Sequence, residues 1–114
     1  MSNINRSVLI GRLTKQPELR ITQNSKSVTT FTIAVDRWGK EKEADFIDIV
    51  AFEKTAEAVC KYLDKGSLVG IEGRIQTRSY ETKDGQKRKV FEIIADNVQF
   101  LSRKKEQEEE FVDE

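Results

Sequence analysis

The run Leu68-Val69-Gly70-Ile71-Glu72-Gly73-Arg74-Ile75-Gln76-Thr77-Arg78-Ser79-Tyr80 constrains the fold more than any other part of the chain. It is too polar for a core helix and carries two internal glycines. Read as a strand, it places Leu68, Gly70 and Glu72 on one face and Val69, Ile71 and Gly73 on the other. Glycines inside a strand mark bends or close backbone approaches, which is how a small sheet curls into a barrel. Further along, Arg74, Gln76 and Arg78 alternate with Ile75 and Thr77, and Tyr80 shares the parity of the arginines. Lys83-Asp84-Gly85-Gln86 supplies a turn, and the run from Lys87 to Ile94 returns as the partner strand. The expected result is an extended hairpin over about residues 74–93.

The remaining elements are read around that hairpin. Ser7-Val8-Leu9-Ile10-Gly11-Arg12-Leu13 reads as a buried strand with a glycine bend. Gln16-Pro17-Glu18 breaks it, and Leu19-Arg20-Ile21-Thr22 resumes in extended form. Residues 23–27 are a turn by composition. Val28 to Val35 is rich in β-branched residues, with Phe31 among them. A charged connection bearing the only tryptophan, Trp38, leads to a strand over Asp45 to Phe52. On that strand Phe46, Asp48, Val50 and Phe52 share one face and Ile47, Ile49 and Ala51 the other. One helix follows. Thr55 is the expected cap, Glu57 suits the positive first turn, and Gly66 is the expected left-handed end. Ala56, Val59, Cys60 and Leu63 form its apolar stripe, with Cys60 read as buried packing. Phe91 to Leu101 closes the series, and Phe31, Phe91 and Phe100 are assigned to the core. Five strand regions with a helix between the third and fourth give an all-β fold with one helix: a five-stranded Greek-key barrel of the OB-fold type.

Composition limits what such a barrel could do. A chain of 114 residues fits one compact domain. No run approaches the roughly 18 apolar residues of a membrane span, and the N-terminus lacks a signal-peptide core. Cys60 is the only cysteine and there is no histidine, which removes internal disulfides, histidine catalysis and most zinc chemistry. No cofactor is expected, and the expected compartment is the cytoplasm. The formal net charge of zero hides an asymmetry. Residues 104–114 hold two lysines and six acids, a net −4; the other 18 basic and 14 acidic residues give +4. We therefore divide the chain into a barrel domain, residues 1–103, and a short acidic disordered tail, residues 104–114.

Unpaired nucleic acid exposes flat bases and a charged backbone, so a binder that ignores sequence needs aromatic platforms interleaved with Lys and Arg. Trp38, Phe46, Phe52 and Tyr80 are the candidate platforms. Trp38 sits among charges, Tyr80 lies between Arg78 and Lys83, and Phe46 and Phe52 share a face with Asp48. Arg12, Arg20, Arg37, Lys54, Arg74, Arg78, Lys83, Lys87, Arg88 and Lys89 are the candidate phosphate contacts. Arg74, Arg78 and Lys87 to Lys89 cluster around one hairpin, where antiparallel pairing brings side chains together. Enzyme motifs are weak or absent: no phosphate-loop lysine and serine follow Val69-Gly70-Ile71-Glu72-Gly73, and no carboxylate pair is marked as catalytic. Two other readings remain open on these residues: a barrel whose exposed aromatics bind a protein, and a metal-dependent enzyme using the acidic residues.

Residues 5–13, Pro17-Glu18-Leu19-Arg20 and Phe31-Thr32-Ile33-Ala34-Val35 resemble the opening of bacterial-type single-stranded DNA-binding proteins. Lys54-Thr55-Ala56-Glu57, residues 62–69 and residues 71–80 continue the resemblance, which covers about residues 1–101. It implies a homotetramer that wraps single-stranded DNA without sequence preference in replication, recombination and repair, in the cytoplasm at the nucleoid. It implies base stacking by Trp38, Phe46, Phe52 and Tyr80. Phe46 and Tyr80 stand where the family often has tryptophan, so weaker stacking is expected there. Relatives recruit replication and repair proteins through an acidic tip ending in Pro-Phe. Here the last residues are Glu110-Phe111-Val112-Asp113-Glu114, which keep the acidity and one phenylalanine but not the terminal position.

Overall fold

The computed structural model describes residues 2–39 and 42–102. Residues 104–114, read above as a disordered tail, lie outside the described residues. Seven elements follow in order: β1 (Ser7–Leu13), β2 (Arg20–Ile21), β3 (Ser27–Asp36), β4 (Ala44–Phe52), α1 (Glu53–Tyr62), β5 (Leu68–Glu81) and β6 (Lys87–Phe100). The sheet runs β1-β5-β6-β4-β3-β2, and a further β1–β3 pairing closes five of the strands into a ring. β2 is a two-residue addition on β3. All pairs are antiparallel except β4–β6, where Ile49 faces Ile93 and Val50 faces Ile94. This is the expected OB-type barrel, with its helix between the third and fourth long strands. No helix among the described residues is long and apolar enough to cross a membrane.

Closure depends on two places without a side chain. A Cβ on Gly73 would stand 2.1 Å from the Ile94 carbonyl oxygen. The β5–β6 register shifts there: Glu72 faces Asn97 while Gly73 faces Ala95, leaving Asp96 unopposed. The extra residue is a β-bulge, which bends the hairpin away from the barrel axis. A Cβ on Gly11 would stand 2.7 Å from the Ala34 carbonyl oxygen, where β1 crosses onto β3. Gly70 meets only ordinary contacts, so only Gly73 fulfils the role expected for both β5 glycines.

The inward parity of each strand fills the ring. Leu13, Phe31, Ile33, Ile49, Val69, Ile71 and Ile93 are buried together, and Ala56, Val59 and Leu63 of the helix region seal one end. Burying each large aliphatic contributes about 1.5–3 kcal/mol. The helix begins differently from expectation. Phe52 is its N-cap residue and makes no side-chain cap, while Thr55 lies inside the helix. Glu53 takes a left-handed backbone (φ 55°) at the sharp exit from β4. The helix ends at Tyr62 and Leu63 is already extended, so left-handed Gly66 belongs to the turn beyond. That turn is anchored by the Gly66 N–H, which donates to the Leu13 carbonyl at 2.8 Å. Cys60, expected in the core, is only half-buried.

Three further burial expectations are corrected. Phe91 has core parity, facing Thr77, but is 53% exposed. The β4–β6 pairing covers only Ile93 and Ile94, so the hairpin runs free of the barrel at Phe91. Phe100 is exposed at the end of β6 and leans on the Tyr62 ring at 6.0 Å between centroids. β1 alternates instead of being buried throughout: Gly11 and Leu13 point inward, while Val8 and Ile10 are exposed.

Candidate nucleic-acid interface

Strand register determines which candidate side chains meet. Residues paired across neighbouring strands share a face, so the pairings define rows across the outside of the barrel. One row is Arg20–Val28–Phe52 across β2, β3 and β4. Another is Arg12–Ala34–Phe46 across β1, β3 and β4. Between them runs Thr30–Val50–Ile94–Arg74, from β3 through β4 and β6 to β5. The same parity continues along the hairpin through Gln76 facing Glu92, Arg78 facing Val90 and Tyr80 facing Arg88. Phe46, Phe52, Tyr80, Arg74 and Arg78 therefore all lie on the outer surface of the sheet.

The rings on that surface are open to solvent: Phe46 is 69% exposed, Tyr80 48% and Phe52 43%. Phe46 and Phe52 stand roughly 20 Å apart along β4, from the rise per residue of a strand. On the same outward parity, Val28, Val50 and Ile94 form a small second apolar cluster, separate from the barrel core. Trp38 is fully exposed in the β3–β4 connection, at the end of β4 nearer Phe46. The Arg37 N–H donates to the Glu43 carbonyl at 3.0 Å and closes the base of that connection.

The basic candidates differ in how they are held. Arg37 donates from Nε and Nη2 to Asp45 Oδ1, at 3.1 and 2.9 Å, and its Nη1 lies 3.9 Å from Glu43. Arg74 Nη1 donates to Asp96 Oδ1 at 3.2 Å, so the bulge residue also fixes an arginine. Arg78 donates from Nε to Glu92 Oε1 at 3.3 Å. Arg20 donates to Thr30 Oγ1 at 3.3 Å and Arg12 to the Gly66 carbonyl at 2.9 Å. Arg88 donates to Gln86 at 3.0 Å. Lys54, Lys83, Lys87 and Lys89 make no side-chain hydrogen bond or ion pair among the described residues. Parity splits the hairpin cluster: Arg88 lies beside Tyr80, but Lys87 faces Glu81 and Lys89 faces Ser79 on the reverse side.

Several polar residues on this surface were not singled out from sequence. Glu92 is 5% exposed in the middle of it. Asp48, already placed on this face by alternation, accepts from the Thr32 hydroxyl at 2.7 Å. Lys15 and Gln16, in the β1–β2 connection, line an open groove of about 230 Å³ with Glu18, Thr30, Phe31 and Thr32. That connection is fastened to β3 by buried Thr29, whose hydroxyl donates to the Glu18 carbonyl at 2.8 Å. A basic residue beside a chain-breaking Gln-Pro was the available signal for Lys15. At the hairpin tip, the Thr82 hydroxyl bonds Asp84 and, with the turn backbone, holds that carboxyl below its ordinary pKa.

Comparison with known proteins agrees with this architecture. The single-strand binding protein family matches residues 4–101. The chain is 58% identical over 105 residues to single-stranded DNA-binding protein 2 of Staphylococcus aureus (strain Mu50 / ATCC 700699), covering 89% of this chain and 74% of that one. It is 57% identical over 102 residues to the single-stranded DNA-binding protein of Clostridium tetani (strain Massachusetts / E88), covering 86% and 70%. Against the single-stranded DNA-binding protein of Staphylococcus aureus (strain N315) the values are 55% over 105 residues, 89% and 67%. With a match over nearly all of the barrel and relatives at more than half identity, the chain belongs to the single-strand binding protein family.

Proposed function

We propose that the protein binds single-stranded DNA without sequence preference and protects it during replication, recombination and repair. It acts as a binding protein and not as an enzyme. The observation that carries this reading is the shared outer surface of Phe46, Phe52 and Tyr80, with exposed rings beside arginine rows. Bases stack on these rings and on Trp38, each stack contributing about 1–3 kcal/mol. That value comes largely from single-strand binding OB-folds themselves. The phosphates run along Arg12, Arg20, Arg37, Lys54, Arg74, Arg78, Lys83 and Arg88, and reach Lys87 and Lys89 where the strand passes round the hairpin. Paired bases hide their faces, so duplex DNA binds much more weakly.

The working form is a homotetramer. Val8 and Ile10 present an exposed apolar stripe on β1, where a second copy would cover it. Residues 1–103 form the DNA-binding domain, and the acidic segment 104–114 is set apart from it by composition. Titration of oligo-dT against Trp38 fluorescence tests the binding, with light scattering reporting the assembly. Strong quenching that a duplex of equal length does not compete away supports stacking. No quenching, or equal competition by duplex, contradicts it.

A further inference from the structure

Glu92 is the least expected residue on the candidate DNA surface. A carboxylate repels phosphate, yet this one is 5% exposed on the same parity as Arg74, Arg78 and Tyr80. Its position two residues before Ile94 places it beside the small apolar cluster of Val28, Val50 and Ile94. Its hydrogen-bond partner is Arg78, and only the Nε edge of the guanidinium is used, at 3.3 Å. Both Arg78 terminal nitrogens are without a hydrogen bond among the described residues, and the side chain is 58% exposed. Arg37 differs, because Asp45 and Glu43 engage all three of its nitrogens.

We propose that Glu92 is a positioning residue for DNA binding: it fixes Arg78 by its Nε edge and so presents the two terminal nitrogens, already oriented, to a backbone phosphate. This rests on the single-strand binding proposed above. An unrestrained arginine side chain must give up rotamer freedom when it binds, and a held one has already lost it. The fork of terminal N–H groups matches a phosphate in two-point contact only when its plane is set. The carboxylate is covered while the guanidinium is exposed, so an approaching phosphate meets the positive group first. Lysine cannot replace Arg78 in this role, because its ammonium is a compact point charge with no planar fork to orient.

The test compares Glu92→Gln, which keeps an acceptor and loses the charge, with Glu92→Val, which loses both. Val suits a strand beside Val50 and Ile94, and thermal melting establishes that each variant is folded. In the free protein, NMR follows proton exchange at the Arg78 Nε. Slow exchange in wild type and Glu92→Gln, and fast exchange in Glu92→Val, is expected. Fast exchange in wild type overturns the proposal whatever the DNA does. For oligo-dT at one salt concentration, Glu92→Gln binds no more weakly than wild type, and Glu92→Val binds roughly fivefold more weakly, about 1 kcal/mol. The fivefold loss disappears when Arg78→Lys is already present. If Glu92→Val binds more tightly than wild type, Glu92 is only a competing charge and the proposal fails. Wild type failing to bind oligo-dT at all, with Nε exchange still slow, removes the DNA-binding reading and leaves the held arginine without this role.

Discussion

Gly73 and Ile94 meet backbone to backbone: the space where a Gly73 side chain would begin is taken by the Ile94 carbonyl, 2.1 Å away. The contact coincides with the bulge that sends the hairpin out of the barrel. Gly73→Ala forces both backbones to move and is expected to cost about 1–3 kcal/mol, the range for overpacking a closed interior. Urea denaturation measures it. Gly70→Ala meets nothing closer than 3.5 Å and is the matched control, with a much smaller loss expected.

Glu53 holds a left-handed backbone (φ 55°) just after Phe52. A side chain in that conformation costs about 1–2 kcal/mol, partly offset by the greater freedom glycine loses on folding. Glu53→Gly should therefore stabilise the fold by roughly 0.5–1 kcal/mol. Thermal melting checks this. An equal or lower melting temperature would mean that the exit from β4 is not strained.

Arg88 and Lys89 are neighbours in sequence but lie on opposite faces of the hairpin, Arg88 beside Tyr80 and Lys89 beside Ser79. Each phosphate contact to single-stranded DNA contributes about 0.7 to the slope of log affinity against log salt. Arg88→Ala should lower that slope by roughly this amount. Lys89→Ala should lower it less, because its contact requires the strand to pass round the hairpin. A salt series for both variants decides.

Asp84 at the hairpin tip has its pKa lowered by the Thr82 hydroxyl and by backbone N–H groups of the turn. The folded pKa thus lies below the unfolded one. The resulting stabilisation is present above the unfolded value, ordinarily near 3.8, and is lost as pH falls through the folded value. Thr82→Val removes the largest cause and should raise the Asp84 midpoint followed by carboxyl NMR. An unchanged midpoint would show that the backbone alone produces the shift.

Local pattern explains why much of this was legible in the chain. The glycine-bearing strand, the hairpin turn and the alternation of Phe46 and Phe52 against Ile47, Ile49 and Ala51 are all period-two features. What failed depended on closure. Phe91 has core parity, but only a ring that covers it makes parity into burial, and β4 pairs with β6 at Ile93 and Ile94 alone. Val8 and Ile10 sit in an apolar run, yet alternation turns them outward. Thr55 was the better cap by residue type, but the turn after β4 starts the helix at Glu53. The partners of the arginines could not be read, because Arg74–Asp96 and Arg78–Glu92 follow from register across the hairpin. Lys87 and Lys89 could have been separated from Arg88 by parity, given the turn at residues 83–86.

The exposed rings carry the binding. The direct measurement is the affinity of Phe46→Ala/Phe52→Ala/Tyr80→Ala for oligo-dT, by anisotropy of labelled DNA, beside wild type at the same salt. All three rings are largely outside the core, so the variant should fold. It should lose several kcal/mol of binding, at about 1–3 per ring, while keeping much of its salt dependence. A folded triple variant that binds within twofold of wild type would contradict the stacking surface.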